Sequence, residues 1–61
     1  MAKRYVTLLA INMAETDMAV LLDVEGEEVW IPKSQLEDWP DPDDEGDAIM
    51  TEWFAFENGL I

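Results

Sequence analysis

A tight hairpin near the middle of the chain constrains the fold more than any other feature of the sequence. Two apolar segments, Ala19–Val24 and Glu27–Ile31, are separated only by the dipeptide Glu25-Gly26. A two-residue connection that contains glycine is typical of a β-hairpin, because such turns need residues with positive φ. The sequence therefore predicts two adjacent antiparallel strands at these positions.

The predicted turn also fixes which residues lie opposite each other. The expected cross-strand pairs are Val24 with Glu27, Asp23 with Glu28, Leu22 with Val29, Leu21 with Trp30 and Val20 with Ile31. Alternate pairs share a face, so Val20, Leu22, Val29 and Ile31 should face an apolar core. The other face opposes Asp23 to Glu28, which is unfavourable for two like charges. We interpret that face as solvated, and the alternative is that its negative charge serves a function.

The segment before the hairpin has the pattern of a further strand. Val6, Leu8 and Ala10 would lie on one face of Arg4–Asn12, and the other face would carry Tyr5, Thr7, Leu9 and Ile11. Because both faces are largely apolar, we expect a central strand or one that the end of the chain covers. Met13–Asp17 is expected to be a polar connection.

A proline ends the second strand of the hairpin. Pro32 has no N–H group to donate, and Ser34 favours a short turn, so one 3₁₀ turn is predicted over Lys33–Gln35. Leu36 then returns to an apolar contact. This order of strand, proline, turn and apolar residue resembles the corner of SH3-type barrels. A further short strand is predicted over Asp47–Met50.

The end of the chain carries the start and stop signals of a short helix. Thr51 is a favourable N-cap, and Glu52 suits the positive end of the helix dipole. Gly59-Leu60 fits a helix stop with a hydrophobic residue after it. Trp53 and Phe56 stand at helical spacing and are expected to close one end of the core.

These elements predict one small domain over residues 1–61, mainly β with a short C-terminal helix. The expected order is strand, strand, strand, 3₁₀ turn, strand, helix, in a partly open SH3-like barrel. The absence of Cys excludes disulfides and thiolate sites and fits a reducing cytoplasm. No apolar run approaches the roughly 20 residues of a membrane helix. The basic residues before the first apolar run are followed by no cleavage site, so no signal peptide is expected.

Charge limits what such a domain can bind. The chain has fifteen acidic and three basic residues, which gives a net charge of −12, and 49% of its residues are hydrophobic. The apolar content argues against a disordered acidic tail. The charge argues against direct binding to nucleic acid or to an anionic membrane. With no His, no Cys and a single Ser, the chain offers little for catalysis, and we expect no enzyme, cofactor or metal.

The acids are densest in a loop that contains two prolines. Pro40 and Pro42 exclude a helix and are expected to hold this loop extended in water. The candidate partner-binding acids are Asp41, Asp43, Asp44, Glu45 and Asp47, then Glu37 and Asp38, with Glu25, Glu27 and Glu28 at the hairpin. Trp30 is the candidate aromatic anchor, because aromatic side chains dominate binding hot spots. Trp39 could clamp the loop or mark the edge of an interface, and Trp53 is expected in the core.

A calcium motif is present in outline. Asp41, Asp43, Glu45, Gly46 and Glu52 have the spacing of positions 1, 3, 5, 6 and 12 of an EF-hand loop. Pro40 and Pro42 deny the loop an entering helix, and Ala48 stands where a branched aliphatic residue is usual. Because of these departures from the EF-hand pattern, a calcium-binding loop is the third hypothesis, after the two that are given below.

Three short segments resemble small phage and prophage proteins without assigned function. They are W-I-P-K-S-Q (Trp30–Gln35), T-E-W (Thr51–Trp53) and G-L-I (Gly59–Ile61). The resemblance implies a phage or mobile-element setting in the cytoplasm of a bacterial host. Very small, very acidic phage proteins often act as anti-defence factors that mimic DNA. The first hypothesis is thus an inhibitor whose carboxylates replace phosphates in a basic groove of a CRISPR or restriction effector. The second is an accessory module of a phage replication or packaging complex that docks through Trp30, with acidity serving solubility.

Overall fold

Five antiparallel strands form one partly open sheet, followed by a short helix. The computed structural model describes residues 3–61, so the first two residues of the predicted domain lie outside it. The elements are β1 (Tyr5–Glu15), β2 (Ala19–Val24), β3 (Glu27–Pro32), a 3₁₀ turn (Lys33–Gln35), β4 (Leu36–Asp38), β5 (Glu45–Thr51) and α1 (Glu52–Glu57). Their order in the sheet is β3-β2-β1-β5-β4. The predicted fold class, mainly β with a 3₁₀ turn and a C-terminal helix, is confirmed.

The hairpin is present with the predicted turn and register. Glu25 and Gly26 both have positive φ, 53° and 87°, as a type I′ turn requires. The Gly26 N–H donates to Asp23 Oδ1 at 2.8 Å, which ties the turn to the strand before it. The five expected cross-strand pairs are all observed. Local turn chemistry was therefore sufficient to predict this half of the sheet.

The inner face of the sheet forms the core. The largest fully buried side chains are those of Leu22, Ile31, Met50, Val20 and Asn12. Val20, Leu22 and Ile31 come from the hairpin as predicted, and Met50 joins them from β5. Alternation along each strand accounts for the four apolar members, because every second side chain points inward.

The first strand is central and longer than predicted. β1 lies between β2 and β5, as expected of a central strand, but its outer face is not covered, since Leu9 there is 59% exposed. It continues through Met13 to Glu15, where a connection was expected. A register shift between Asn12 and Ala14 marks a bulge in the pairing with β2. The bulge adds a residue and so allows the strand to bend and continue.

The region after the 3₁₀ turn contains two strands where one was predicted. The short strand β4 pairs with β5, with Leu36 opposite Met50 and Asp38 opposite Ile49. β5 also begins at Glu45, two residues earlier than expected, and pairs with the full length of Tyr5–Ile11. A three-residue strand is held by its neighbour across the sheet, so its own sequence carries little signal.

The helix has the predicted caps but turns a different side to the core. Thr51 Oγ1 accepts from the Phe54 N–H at 3.2 Å. At the other end, Gly59 has a φ of 70°, and the Leu60 N–H donates to the Ala55 carbonyl at 2.8 Å, as in a Schellman stop. Phe54 and Ala55 are buried.

The prediction that Trp53 and Phe56 close the core is wrong, because these side chains are 65% and 69% exposed. A helix of six residues packs only one turn, and here that turn presents Phe54 and Ala55 inward. In the part of the chain that is described, no helix has the length and apolar character needed to cross a membrane.

Candidate functional site

The outer face of the sheet brings together acidic residues that are far apart in the chain. Strand pairing places Glu28 opposite Asp23, Asp23 opposite Ile11 and Ile11 opposite Glu45. These four residues form one row across β3, β2, β1 and β5. Two positions further along β1 and β5, on the same face of the sheet, Leu9 lies opposite Asp47. Hairpin acids and acids of β5 therefore share one surface.

This outer acidic face consists of Asp23, Glu25, Glu28, Glu45 and Asp47. Neighbouring strands lie about 4.8 Å apart, so the row from Glu28 to Glu45 extends over about 14 Å. The sequence supplied four of these residues as candidates but placed the hairpin acids apart from the others. Asp23 was missed, although the predicted register already put it beside Glu28. Only the pairing of β1 with β5, distant in sequence, joins the two groups.

Exposed apolar side chains lie among these acids. Leu9 is 59% exposed, and Trp30, opposite Leu21 in the hairpin, is 50% exposed. Leu21 and Ile11 are half-buried on the same face. This apolar strip consists of strand residues only, because the buried residues of α1 pack into the core on the inner side. The candidate anchor Trp30 thus lies on the same side of the sheet as the outer acidic face.

A hollow of about 250 Å³ connects the two kinds of surface. It is lined by Leu9, Ala10 and Ile11 together with Asp23, Glu25, Gly26 and Glu45. Three carboxylates beside apolar side chains match the chemistry of a long basic side chain. Lys and Arg side chains combine an apolar stem with a charged head.

The acidic loop is a turn, contrary to the extended path that was predicted. The Asp44 N–H donates to the Asp41 carbonyl at 2.9 Å, and Asp43 has a φ of 67°. Pro42 takes the second position and Asp43 the third, as in a type II turn. Asp41, Asp43 and Asp44 are all exposed, as expected.

Asn12 fixes this loop to the sheet. Its N–H donates to the Asp44 carbonyl at 3.0 Å, and its carbonyl accepts from the Asp43 N–H at 2.9 Å. Its Nδ2 donates to the Pro40 carbonyl at 3.0 Å. Asn12 is fully buried. Sequence reasoning missed this residue, because its partners lie about thirty positions away and a lone Asn in a strand gives no sign of them.

Glu15 ties the entry of the loop to the end of β1. Its carboxylate accepts from Asn12 Nδ2 at 3.1 Å and from Trp39 Nε1 at 3.1 Å, and it pairs with Lys33 Nζ at 2.9 Å. The Lys33 ammonium also lies 5.6 Å from the centre of the Trp39 ring. Hydrogen bonding to Lys33, then to Asn12 and Trp39, lowers the pKa of Glu15. Trp39 therefore acts as the clamp that was one of its two expected roles.

The other candidate acids lie at the margins. Glu37 and Asp38 belong to the edge strand β4, and Asp38 Oδ1 accepts from the Trp39 N–H at 2.9 Å. Hydrogen bonding to Glu37 raises the pKa of Tyr5. Glu27 pairs with the buried Val24 and so lies on the opposite face from Glu28. The structure therefore divides the eleven candidates among the outer face, the loop and the edges.

The residues of the calcium motif do not converge. From Glu45 to Thr51 the chain is an extended strand, which separates Glu52 from the loop acids by about 20 Å. The segment before the motif is strand β4, where an EF-hand has a helix. Within residues 3–61, no group of three or more acidic side chains is arranged to hold a metal ion.

Comparisons with protein-family models, curated proteins and solved structures gave no match to this chain.

Proposed function

We propose that this protein is a non-enzymatic binding protein whose outer acidic face occupies a basic, nucleic-acid-binding groove on a partner protein. The observation that carries the proposal is the hollow that Asp23, Glu25 and Glu45 line together with Leu9 and Ile11. An Arg or Lys side chain that normally contacts a phosphate would insert there. The proposal follows from charge and shape at one surface, in a chain of net charge −12.

The mechanism would be competition with nucleic acid. Carboxylates on a rigid sheet would replace phosphates against the basic side chains of the groove. A carboxylate that accepts two parallel hydrogen bonds from one guanidinium gives both strength and orientation. The net charge of −12 would speed the encounter with a basic partner, and salt would weaken it. The placement of these carboxylates on paired strands supports this mechanism, because carboxylates on a fixed backbone lose less entropy on binding.

The proposed partner is a defence effector, of CRISPR or restriction type, in a bacterial cytoplasm infected by phage. This part of the proposal is supported only by the resemblance of the three short segments to phage proteins. The surface chemistry supports a basic groove in general. A capture experiment from bacterial lysate, washed with rising salt, would supply the partner for quantitative work.

The second candidate is docking through Trp30 as an accessory module. Its support is that Trp30 is 50% exposed on the same face as the acids, beside the half-buried Leu21. Interfaces commonly place an aromatic anchor at the centre and charges at the rim. In that case the acids would set the rate of association, and Trp30 would supply most of the binding free energy.

Binding by matched variants distinguishes the two. The first variant combines Glu25→Gln, Glu45→Gln and Asp47→Asn, and the second is Trp30→Ala. Each charged hydrogen bond contributes on the order of 1.5–3 kcal/mol, so competition predicts a loss of at least a hundredfold in the triple variant and a smaller loss for Trp30→Ala. Docking predicts the reverse order.

A control variant removes the same number of charges elsewhere. Asp17→Asn, Glu52→Gln and Glu57→Gln change exposed residues outside the outer acidic face. This control should bind within a few-fold of the parent at the same salt concentration. If the control loses as much affinity as the triple variant, only net charge matters, and the outer acidic face is not the site.

A further inference from the structure

A cleft at the other end of β1 has the opposite chemistry to the outer acidic face. It lies between the start of β1, the 3₁₀ turn and α1, and it has a volume of about 820 Å³. Trp53, Phe56 and Ile61 line it and are 65%, 69% and 55% exposed. Lys3 and Arg4 also line it. Two of the three basic residues of the chain are therefore placed beside an apolar surface.

The two cations have no acidic partner within the described chain. Among residues 3–61, the one ion pair joins Lys33 to Glu15. Lys3 and Arg4 are exposed and are separated from the dense acids of the loop and the hairpin. Glu52 is the single acidic residue that lines the cleft, so the lining residues carry a net positive charge. In a chain of net charge −12, this local reversal of sign needs an explanation.

The aromatic residues of the cleft are not needed to fill the core. Phe54 and Ala55 supply the buried side of α1, and Thr51 and Leu60 complete its ends. Trp53 and Phe56 are three positions apart, so they lie on one side of the helix. Exposed aromatic groups in a small cluster are typical of a surface that a ligand or a partner covers.

We propose that this cleft binds a peptide segment of a partner protein in which apolar side chains stand next to carboxylates. The carboxylates would contact Lys3 and Arg4, and the apolar side chains would cover Trp53, Phe56 and Ile61. Charge complementarity selects this occupant, because Lys3 and Arg4 offer two cations to a carboxylate in a chain whose net charge is −12.

The cleft is independent of the outer acidic face. Arg4 lies directly before β1 and seven residues from Ile11, which corresponds to about 23 Å of extended chain. A basic surface and an acidic segment can therefore bind at the same time. The exposed acids of a second copy at residues 41–44 suit the cleft poorly, because this stretch of Asp, Pro, Asp and Asp carries no aliphatic or aromatic side chain.

Nuclear magnetic resonance titration of the full chain tests the proposal. The probe is a capped peptide, Gly-Asp-Leu-Phe-Asp-Gly, with two control peptides in which Asn replaces Asp or Ser replaces Leu and Phe. We expect saturable shifts at the Arg4 amide and the Trp53 indole N–H, and binding of both controls weakened roughly tenfold or more. Lys3→Gln with Arg4→Gln, and separately Phe56→Ser, should weaken the parent peptide by a similar factor. Trp30→Ser, on the other face, should leave it unchanged.

Several results would overturn the proposal. One is equal binding of the Asn peptide, and another is binding unaffected by the variants of Lys3, Arg4 and Phe56. Absence of saturable shifts at millimolar peptide would also do so. Concentration-dependent self-association that Phe56→Ser abolishes would assign the cleft to a second copy. Saturation by decanoate without peptide binding would assign it to a free apolar anion.

Discussion

The two faces of the sheet carry similar apolar residues but use them differently. On the inner face, Val20, Leu22 and Ile31 are fully buried. On the outer face, Leu9 and Trp30 alternate with acids and are half or more exposed. Trp30 and Ile31 are direct neighbours in β3 and lie on opposite faces. The difference is what covers each face, since the inner face encloses a core and no element of residues 3–61 buries Leu9 and Trp30 on the outer face.

This comparison separates residues that fold the protein from residues that remain available for binding. Burial of a large apolar side chain contributes roughly 1.5–3 kcal/mol, and a chain of 61 residues has little stability to lose. Inner residues should therefore control the melting temperature. Outer residues should control binding and leave folding almost unchanged.

The largest expected effect contrasts two phenylalanines of α1. Phe54→Ala removes a side chain that is 9% exposed, whereas Phe56→Ala removes one that is 69% exposed. Truncating a buried Phe costs about 3–5 kcal/mol, which is comparable to the stability of a domain this small. We expect Phe54→Ala to be largely unfolded and Phe56→Ala to melt within a few degrees of the parent. Circular dichroism during thermal unfolding measures both. Equal melting temperatures for the two variants would contradict the assignment of α1's inner side.

The second prediction concerns the one large polar side chain of the core. Asn12→Ala removes the hydrogen bonds from Nδ2 to Pro40 and Glu15 and leaves the partly buried Pro40 carbonyl without this donor. Such a loss costs about 1–3 kcal/mol. We expect a lower midpoint in urea and faster amide hydrogen exchange at Asp43 and Asp44. A matched change on the outer face, Thr7→Ala, should have little effect on either.

If Asn12→Ala lowers stability but leaves exchange in the loop unchanged, Asn12 supports the core alone. The rigid placement of the loop acids would then need another cause. Unchanged stability would mean that the Pro40 carbonyl finds another donor.

Much of the inner face could be predicted from the sequence because its signals are local. The Glu25-Gly26 turn fixes the register of β2 and β3, and alternation then assigns their buried residues. Thr51 and Gly59 mark the ends of α1 through hydrogen bonds within a few residues. These features depend on neighbours in the chain, so a sequence displays them directly.

The outer face and the loop could be predicted only in part because they depend on distant pairing. Asp23 and Glu45 meet across Ile11 only when β1 pairs on both sides. The contact of Asn12 with Pro40 spans 28 positions. For Trp53, size suggested burial, but the side of a six-residue helix that faces inward is set by where β5 ends. These placements follow from three-dimensional packing, which composition and periodicity do not encode.

A smaller effect on stability is expected from the carboxylate of Glu15, which links the inner face to the acidic loop. Hydrogen bonding to Lys33, Asn12 and Trp39 lowers the pKa of Glu15 in the folded protein. Its stabilising contribution is therefore fully present above the pKa of an unfolded Glu, about 4.3, and is lost as the pH falls through the lower folded value. Glu15→Gln keeps the shape but lacks the charge. We expect the parent to melt higher than Glu15→Gln at pH 7 and the difference to shrink below about pH 4.

Melting temperatures of both proteins between neutral and acidic pH measure this difference. Asp17→Asn, an exposed change close in sequence, is the control and should show no such convergence. A difference between parent and Glu15→Gln that stays constant with pH would show that shape and not charge holds the network together.

The smallest expected effect lies in the hairpin turn, where the outer face carries backbone strain. Glu25 has a φ of 53°, a conformation that Asn adopts at lower cost than Glu. Glu25→Asn should stabilise the protein by up to about 1 kcal/mol, through relief of this strain together with the loss of one negative charge.

Glu27→Asn is the matched control, because it removes the same charge two positions away within a strand. Chemical unfolding at low and high salt separates the contributions, since salt screens the charge effect and leaves the backbone effect in place. A gain for Glu25→Asn that persists at high salt, with none for Glu27→Asn, assigns the strain to the turn. Equal gains that vanish at high salt would show that charge alone sets the stability of this end of the outer face.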